Sequence, residues 1–313
     1  MIRALIWLAA VIALLTAAWL TYRYFFGDTT RLTEVPPLIP NNTRSSILRS
    51  VRPAHVIVIV EENKSNGTII GNAKAPYLNQ LARASALFVN ATGVAHPSQP
   101  NYLALFAGQT NSDADSCPEK TVPSSAPSLG GALMRSRLTF SGYAEALPRT
   151  GFTGCSGGDR NDEYARKHAP WVNFADVPPS SNIPLSSLPS LDKLPTVCFI
   201  IPDLENDMHS GSIEKADAWL RRHVEPIVTW ANAHNSLVIV AWDESDTTYG
   251  NSVPLIIAGA RVKPGTYSER VDHYRVLRTI EELYGLPYLG YSANVAPIDD
   301  IWKVVQARTR RAS

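Results

Sequence analysis

Two stretches of this chain are apolar at every position and end abruptly in acids. Val56-Ile57-Val58-Ile59-Val60 runs into Glu61-Glu62-Asn63, and Leu237-Val238-Ile239-Val240-Ala241-Trp242 runs into Asp243-Glu244. Both are short and rich in β-branched residues. Neither alternates apolar with polar, so the pattern predicts parallel strands covered on both faces. Further strand-like runs fall at Leu87–Val89, Leu138–Ala144, Thr196–Ile201 and Val253–Ala258. Helical spacing predicts elements over Pro76–Ala86, Ser98–Ala107, Ser212–Asn232 (kinked near Pro226) and Tyr274–Tyr284. In the last of these, Tyr274, Leu277, Ile280 and Tyr284 share one face, Asp272 can cap the start and Gly285 the end. Strands alternating with helices imply βαβ units: an α/β fold with a mainly parallel sheet and helices on both faces. The proline- and serine-rich residues 176–195 read as a surface loop or rim rather than an element.

In such a sheet, ligands bind at the carboxyl ends of the strands. Carboxylates gathered there repel one another and lose hydration, a cost that a cation offsets. The acidic strand ends therefore point to a metal site at the top of the sheet. Between two predicted elements lies Gly93-Val94-Ala95-His96-Pro97-Ser98-Gln99-Pro100-Asn101-Tyr102. It places Ser98 at a strand-to-helix junction, where backbone N–H groups and the helix dipole suit a phosphate. A plain N-cap is the alternative role for Ser98. Asp207 and His209 lie two residues apart in a loop after a strand, a pairing suited to metal or phosphate contacts. His273 begins a capped helix, and His168 lies in Tyr164-Ala165-Arg166-Lys167-His168; taken singly, both are ambiguous. His55, His223 and His234 read as structural or solvated.

The net charge of +1 gives no bulk case for nucleic-acid binding. The N-terminus adds a different feature. From Ala4 to Leu20 only Thr16 is polar, with Arg3 and Arg23 at the flanks. That reads as a membrane anchor or signal segment over 1–26, followed by a linker over 27–52 and a catalytic domain over 53–313. Either version of the segment carries the domain out of the cytoplasm: membrane-anchored, or secreted or periplasmic if the segment is cleaved. Cys117 and Cys155, in polar loops, are then able to form a disulfide or remain free, while Cys198 sits in an apolar strand.

Taken together the motifs resemble a family. They are VIVEENKS at 58–65, HPSQPNYLALFAG at 96–108, YARKHAPW at 164–171, PDLENDMHSG at 202–211, AWDES at 241–245 and HYRVLRTIEELYGLPYLG at 273–290. In this order they are similar to the phosphoesterase family of acid phosphatases and non-haemolytic phospholipases C, within the alkaline-phosphatase-like superfamily. The resemblance implies a metal-dependent phosphoric ester hydrolase acting on a small-molecule phosphate ester. It implies Glu62, Asn63, Ser98, Asp243 and Glu244 as ligands of a divalent metal ion. Ser98 would be the nucleophile that forms a phosphoserine, and Asp207, His209, His168 and His273 would contact the phosphate or leaving group. Glu61 departs from the family pattern and is left out. Phosphomonoesters are the expected substrates. Phospholipid headgroup diesters are the alternative within the family, and non-catalytic phosphate binding the alternative outside it. No protein partner and no nucleic acid are expected; the membrane would be met through the N-terminal helix.

Overall fold

A computed structural model of the chain describes residues 47–110, 114–123, 125–158, 163–246 and 250–303. The anchor or signal segment expected over 1–26 lies outside these residues, as does most of the linker. The end of that linker departs from expectation: Leu48 and Val51 are buried in the core, so the packed domain begins before residue 53. Among the described residues, no helix is long and apolar enough to cross a membrane.

The strands are β1 (Val56–Glu61), β2 (Ala86–Thr92), β3 (Phe140–Ala144), β4 (Ser156–Gly157), β5 (Tyr164–Ala165), β6 (Asn182–Pro184), β7 (Val197–Ile201), β8 (Leu237–Trp242), β9 (Ser252–Gly259), β10 (Gly265–Tyr267) and β11 (Val271–Asp272). Nine of them form one sheet in the order β10-β2-β9-β8-β1-β7-β3-β6, with β11 also on β2; β4 and β5 form a separate small hairpin. The pairs β8-β1, β1-β7, β7-β3 and β3-β6 are parallel, whereas β9 runs antiparallel to both β8 and β2. The sheet is thus mostly parallel and mixed. Every residue of β1, β7 and β8 is buried, as their unbroken apolar runs require.

The longer helices are α1 (Pro76–Ala84), α2 (Ser98–Ala107), α3 (Leu129–Arg135), α4 (Ile213–Ala233) and α5 (His273–Tyr284). Two capping residues stand where the sequence placed them. Asp272 accepts the Arg275 N–H at 3.0 Å, and Gly285 ends α5 at φ 65°. Ser212 caps α4 through the Lys215 N–H. The buried Asp217 of α4 caps a different helix: its two oxygens accept the Tyr77 and Leu78 N–H groups at 3.0 and 2.8 Å. One side chain thereby satisfies two orphan donors of α1 and locks α1 to α4. At the end of α2, Gly108 adopts φ 68°, and a Cβ there would stand 1.9 Å from the Leu289 carbonyl oxygen. Close approach to that loop therefore demands glycine.

The proline-rich stretch 176–195 is more ordered than its composition suggested. It contains β6, a three-residue edge strand beside β3, and the buried Asn182, which accepts the Trp171 indole N–H at 2.9 Å. Proline in such a strand is tolerated at an edge because no further strand asks for its missing donor.

Glu281 on α5 is buried and accepts hydrogen bonds from the Leu289 N–H and the Ser292 hydroxyl. Burial pushes its pKa up from 4.5 to about 7, against the pull of those two donors. A folded pKa above the unfolded one means stability fully present below the unfolded value and lost as pH rises through the folded value. The shift corresponds to a loss on the order of 3 kcal/mol between these limits. Thermal melts of Glu281→Gln are expected to lose that component, giving a flatter decline than wild type from about pH 4.5 to about pH 7. Parallel curves would remove Glu281 from the pH response.

Candidate active site

The in-register pairing of β1 with β8 builds the site. Glu61 lies opposite Trp242, and the Asp243 N–H donates to the Glu61 carbonyl at 3.0 Å. The residues that follow, Glu62-Asn63 and Asp243-Glu244, are therefore delivered to one level at the carboxyl edge of the sheet. Asn63 turns the chain in the left-handed region at φ 49°, and its N–H donates to Asp243 Oδ1 at 3.1 Å. Asparagine tolerates that conformation better than most residues. The Asn63 amide also donates to Glu62 Oε2 at 3.1 Å.

Ser98 opens α2 as its first helical residue, with Pro97, which offers no side-chain cap, in the capping position. Its hydroxyl is aimed at the acids: Oγ lies 3.0 Å from Glu62 Oε2 and 3.2 Å from Glu244 Oε1. Ser98 is 2% exposed, so the placement is enforced by packing on all sides. Four residues on, and hence on the same helix face, the Tyr102 hydroxyl donates to Glu62 Oε1 at 2.6 Å. Glu62 is thus held from both ends by α2.

A second group closes on Glu62 from the other side. His168 Nε2 lies 3.1 Å from Glu62 Oε1, and His168 Nδ1 lies 3.5 Å from Asp207 Oδ2. Ligand atoms of Glu62, His168 and Asp207 all lie within 4.8 Å of one another, and all three residues are buried. The His168 ring stacks on Tyr102 with centroids 5.0 Å apart. His209 stands just beyond, its ring 5.9 Å from that of His168 and its backbone N–H donating to Asp207 Oδ1 at 2.8 Å.

The electrostatics of this cluster are unfavourable to charge. Burial, then the neighbouring Asp207, raises the Glu62 pKa well above the ordinary range; Tyr102 and Lys167 oppose this. Burial raises Asp207 as well, and burial with Glu62 and Glu244 beside it raises Asp243. Glu244 is raised mainly by burial and partly relieved by His96, whose Nδ1 contacts its Oε2. Burial lowers His168 to about 3 and His209 to about 4. Asp207 Oδ2, Asp243 Oδ2 and His168 Nε2 are buried without a hydrogen-bond partner. Buried acceptors without donors are costly. A divalent cation satisfies them and turns the mutual repulsion of the acids into attraction, so the donor set fits a metal. Carboxylate oxygens with one imidazole suit a hard or borderline divalent ion.

Of the residues anticipated from sequence, Glu62, Asn63, Ser98, Asp243 and Glu244 come together as one cluster. Asp207 and His168, anticipated as phosphate contacts, stand with Glu62 as a group able to hold a metal. His273 is placed differently: its buried ring meets the Asp243 carbonyl through Nε2 at 2.6 Å, bracing the strand end from below. Glu61 is fully buried, both its carboxylate oxygens lack partners, and burial followed by Asp207 and Glu145 raises its pKa. His55 and His234 bond backbone carbonyls, in keeping with structural roles. Cys117 and Cys155 form a disulfide, and Cys198 is a buried free thiol. Tyr102 and His96 belong to the site without having been anticipated. The spacing of Tyr102 from Ser98 was a usable signal; nothing local marked His96.

Residues 72–287 match the model of the Phosphoesterase family. The chain is 49% identical over 253 residues to a phosphatidylinositol-3-phosphatase of Mycobacterium tuberculosis, covering 80% of this chain and 83% of that protein. It is 30% identical over 234 residues to a phosphate-repressible acid phosphatase of Penicillium chrysogenum, covering 68% of this chain and 55% of the relative. It thus spans about half the length of such fungal acid phosphatases. A solved alkaline-phosphatase-superfamily protein of Vibrio parahaemolyticus superposes with a TM-score of 0.52 at 10% identity, over 84% of this chain and 77% of that one. The PsFucS1 sulfatase of Pseudoalteromonas sp. gives a TM-score of 0.53 at 13% identity, over 85% and 78%. These structural likenesses establish the fold alone. With the sequence relatives, they define an α/β hydrolase of phosphoric esters. The chain belongs to the Phosphoesterase family.

If the orphaned acceptors hold a metal, removing one should show in metal content without any assay of turnover. After equilibration with a divalent cation and dialysis, Asp243→Asn should retain at least about tenfold less metal than wild type, read by elemental analysis. Equal content would remove Asp243 from the ligand set.

Proposed function

We propose that the protein is a metal-dependent phosphomonoesterase that works through a phosphoserine at Ser98. The observation that carries this reading is the Ser98 hydroxyl, buried at the start of α2 and held between the carboxylates of Glu62 and Glu244. A serine needing only to cap its helix would have no reason to sit there.

Glu62, Asp243, Glu244 and Asn63, with Asp207 and His168 beside them, are the residues to hold the metal. When bound, it supplies Lewis-acid stabilisation of the serine alkoxide and of charge on the phosphoryl oxygens. Ser98 Oγ attacks phosphorus, the ester P–O bond breaks, and the alcohol departs with a proton. With Glu62 and Glu244 committed as ligands, the Ser98 hydroxyl would give up its proton to solvent as it attacks. His209 is neutral near pH 7 in the empty site. The negative charge of a bound phosphate raises its proton affinity and suits it to protonate the leaving oxygen. Water then attacks the phosphoserine, giving its proton to the His209 imidazole, the Ser98 O–P bond breaks as Ser98 Oγ takes a proton back from solvent, and inorganic phosphate leaves.

The substrate side of the reading is supported by the relatives, which are named as phosphatases, one of them a phosphatidylinositol-3-phosphatase. A monoester on a polar ring, free or on a lipid, is the class we assign. We also place the domain outside the cytoplasm, tethered or released according to the fate of residues 1–26. The Cys117–Cys155 disulfide supports that location, since such bonds persist in oxidising compartments.

The test is to react the protein with a ³²P-labelled phosphomonoester, quench in acid and look for label on the protein. Wild type should carry acid-stable label. Ser98→Ala should carry none and should lose turnover on the order of 10³-fold or more with its fold intact. Label that persists in Ser98→Ala would reject the nucleophile, and faster cleavage of the matching diester would reject the monoester assignment.

A further inference from the structure

The N–H next to the nucleophile already has an anionic partner. Gln99, the residue after Ser98, donates its backbone N–H to Asp115 Oδ1 at 3.0 Å. The other oxygen of the same carboxylate accepts from Lys167 Nζ at 2.5 Å. A carboxylate is therefore clamped between a helix-start amide and a lysine ammonium, one peptide from the attacking oxygen. Amide and ammonium together are the donor set for a phosphoryl oxygen.

Lys167 faces the same cluster as the chemistry. It immediately precedes His168, and its charge is felt by Glu62, Asp207, His168 and His209. The charge of Asp115 is felt by His168, His209 and Glu244, so the pair acts electrostatically on both groups of acids and histidines. Neither partner is sealed in the core: the side chains are 21% and 29% exposed for Lys167 and Asp115. The Asp115 segment is nonetheless anchored, because Cys117, two residues on, is bonded to Cys155. A tether of this kind keeps the carboxylate at high effective concentration beside the amide.

We propose that Lys167 and the Gln99 amide form the cradle for the substrate's phosphoryl oxygens, and that Asp115 fills this cradle in the empty enzyme as an internal anion the phosphate must displace. The proposal rests on the phosphoesterase reading of the Ser98 site. Asp115 thereby sets a threshold. A dianionic phosphate has the charge and the number of acceptors to win the exchange, whereas a monoanionic diester competes less well against a carboxylate of equal charge. The internal anion favours monoesters over diesters.

Direct binding of inorganic phosphate by titration calorimetry tests this without relying on turnover. Asp115→Asn keeps the shape and one acceptor oxygen, sets an NH2 against the second donor, and removes the competing charge. It should tighten phosphate binding about tenfold, while Lys167→Gln should weaken it about tenfold, the size expected for one charge-assisted hydrogen bond. The monoester-to-diester ratio of kcat/KM should fall in Asp115→Asn. Melting temperatures near wild type would show that both variants are folded; should Asp115→Asn melt early, Asp115→Ser provides the same charge removal. Unchanged or weaker phosphate binding on loss of the Asp115 charge would overturn the displacement. Unchanged binding in Lys167→Gln would overturn the cradle. Wild-type protein that turns over no phosphate ester would refute the phosphoesterase reading instead, a result the calorimetry keeps distinct.

Discussion

Everything at this site depends on two parallel strands ending at the same level. The register that sets Glu61 opposite Trp242 forces the acids that follow into one desolvated cluster. Apolar strands stabilise the fold by burial, on the order of 1.5–3 kcal/mol for each large aliphatic side chain. The same burial strips water from the carboxylates at their ends, so their pKa values rise. Core and site therefore share one cause: the sheet that supplies the stability also supplies the electrostatic strain that a bound cation would relieve.

Helix α2 sets a hydroxyl against this strained cluster. It contributes Ser98 and Tyr102 one turn apart, so that a single rigid element fixes the Ser98 hydroxyl and the orientation of Glu62 together. Gly108 sets the far end of the helix against the Leu289 carbonyl at a distance that no side chain permits. His273 holds the backbone of Asp243 through a ring whose pKa burial lowers. Shifts in these supports would move Ser98 and the backbone of Asp243.

Much of this was legible because local patterns decided it. The unbroken apolar runs identified β1 and β8, and acids directly after them could lie only at the sheet edge. Asp272 and Gly285 marked α5 by cap chemistry that depends on nearest neighbours. The features missed were those that tertiary approach alone creates. Asp115 is an unremarkable loop acid until the chain brings it to the Gln99 amide. His96 faces Glu244 across a long sequence separation, and Asn182 makes an edge strand out of a stretch whose composition suggested loop. His168 was recognised as a site residue, but its place beside Glu62 and Asp207 follows from packing on Tyr102, which periodicity does not encode.

The central claim is that the buried acids exist to hold a divalent cation against Ser98. Crystals grown with manganese, with data collected to show its anomalous scattering, examine this directly. The account predicts a peak within bonding distance of a Glu62 carboxylate oxygen and of Ser98 Oγ, with the Asp243 carboxylate among its ligands. A peak elsewhere, or a fully occupied water network joining the orphaned oxygens with no metal, would contradict it.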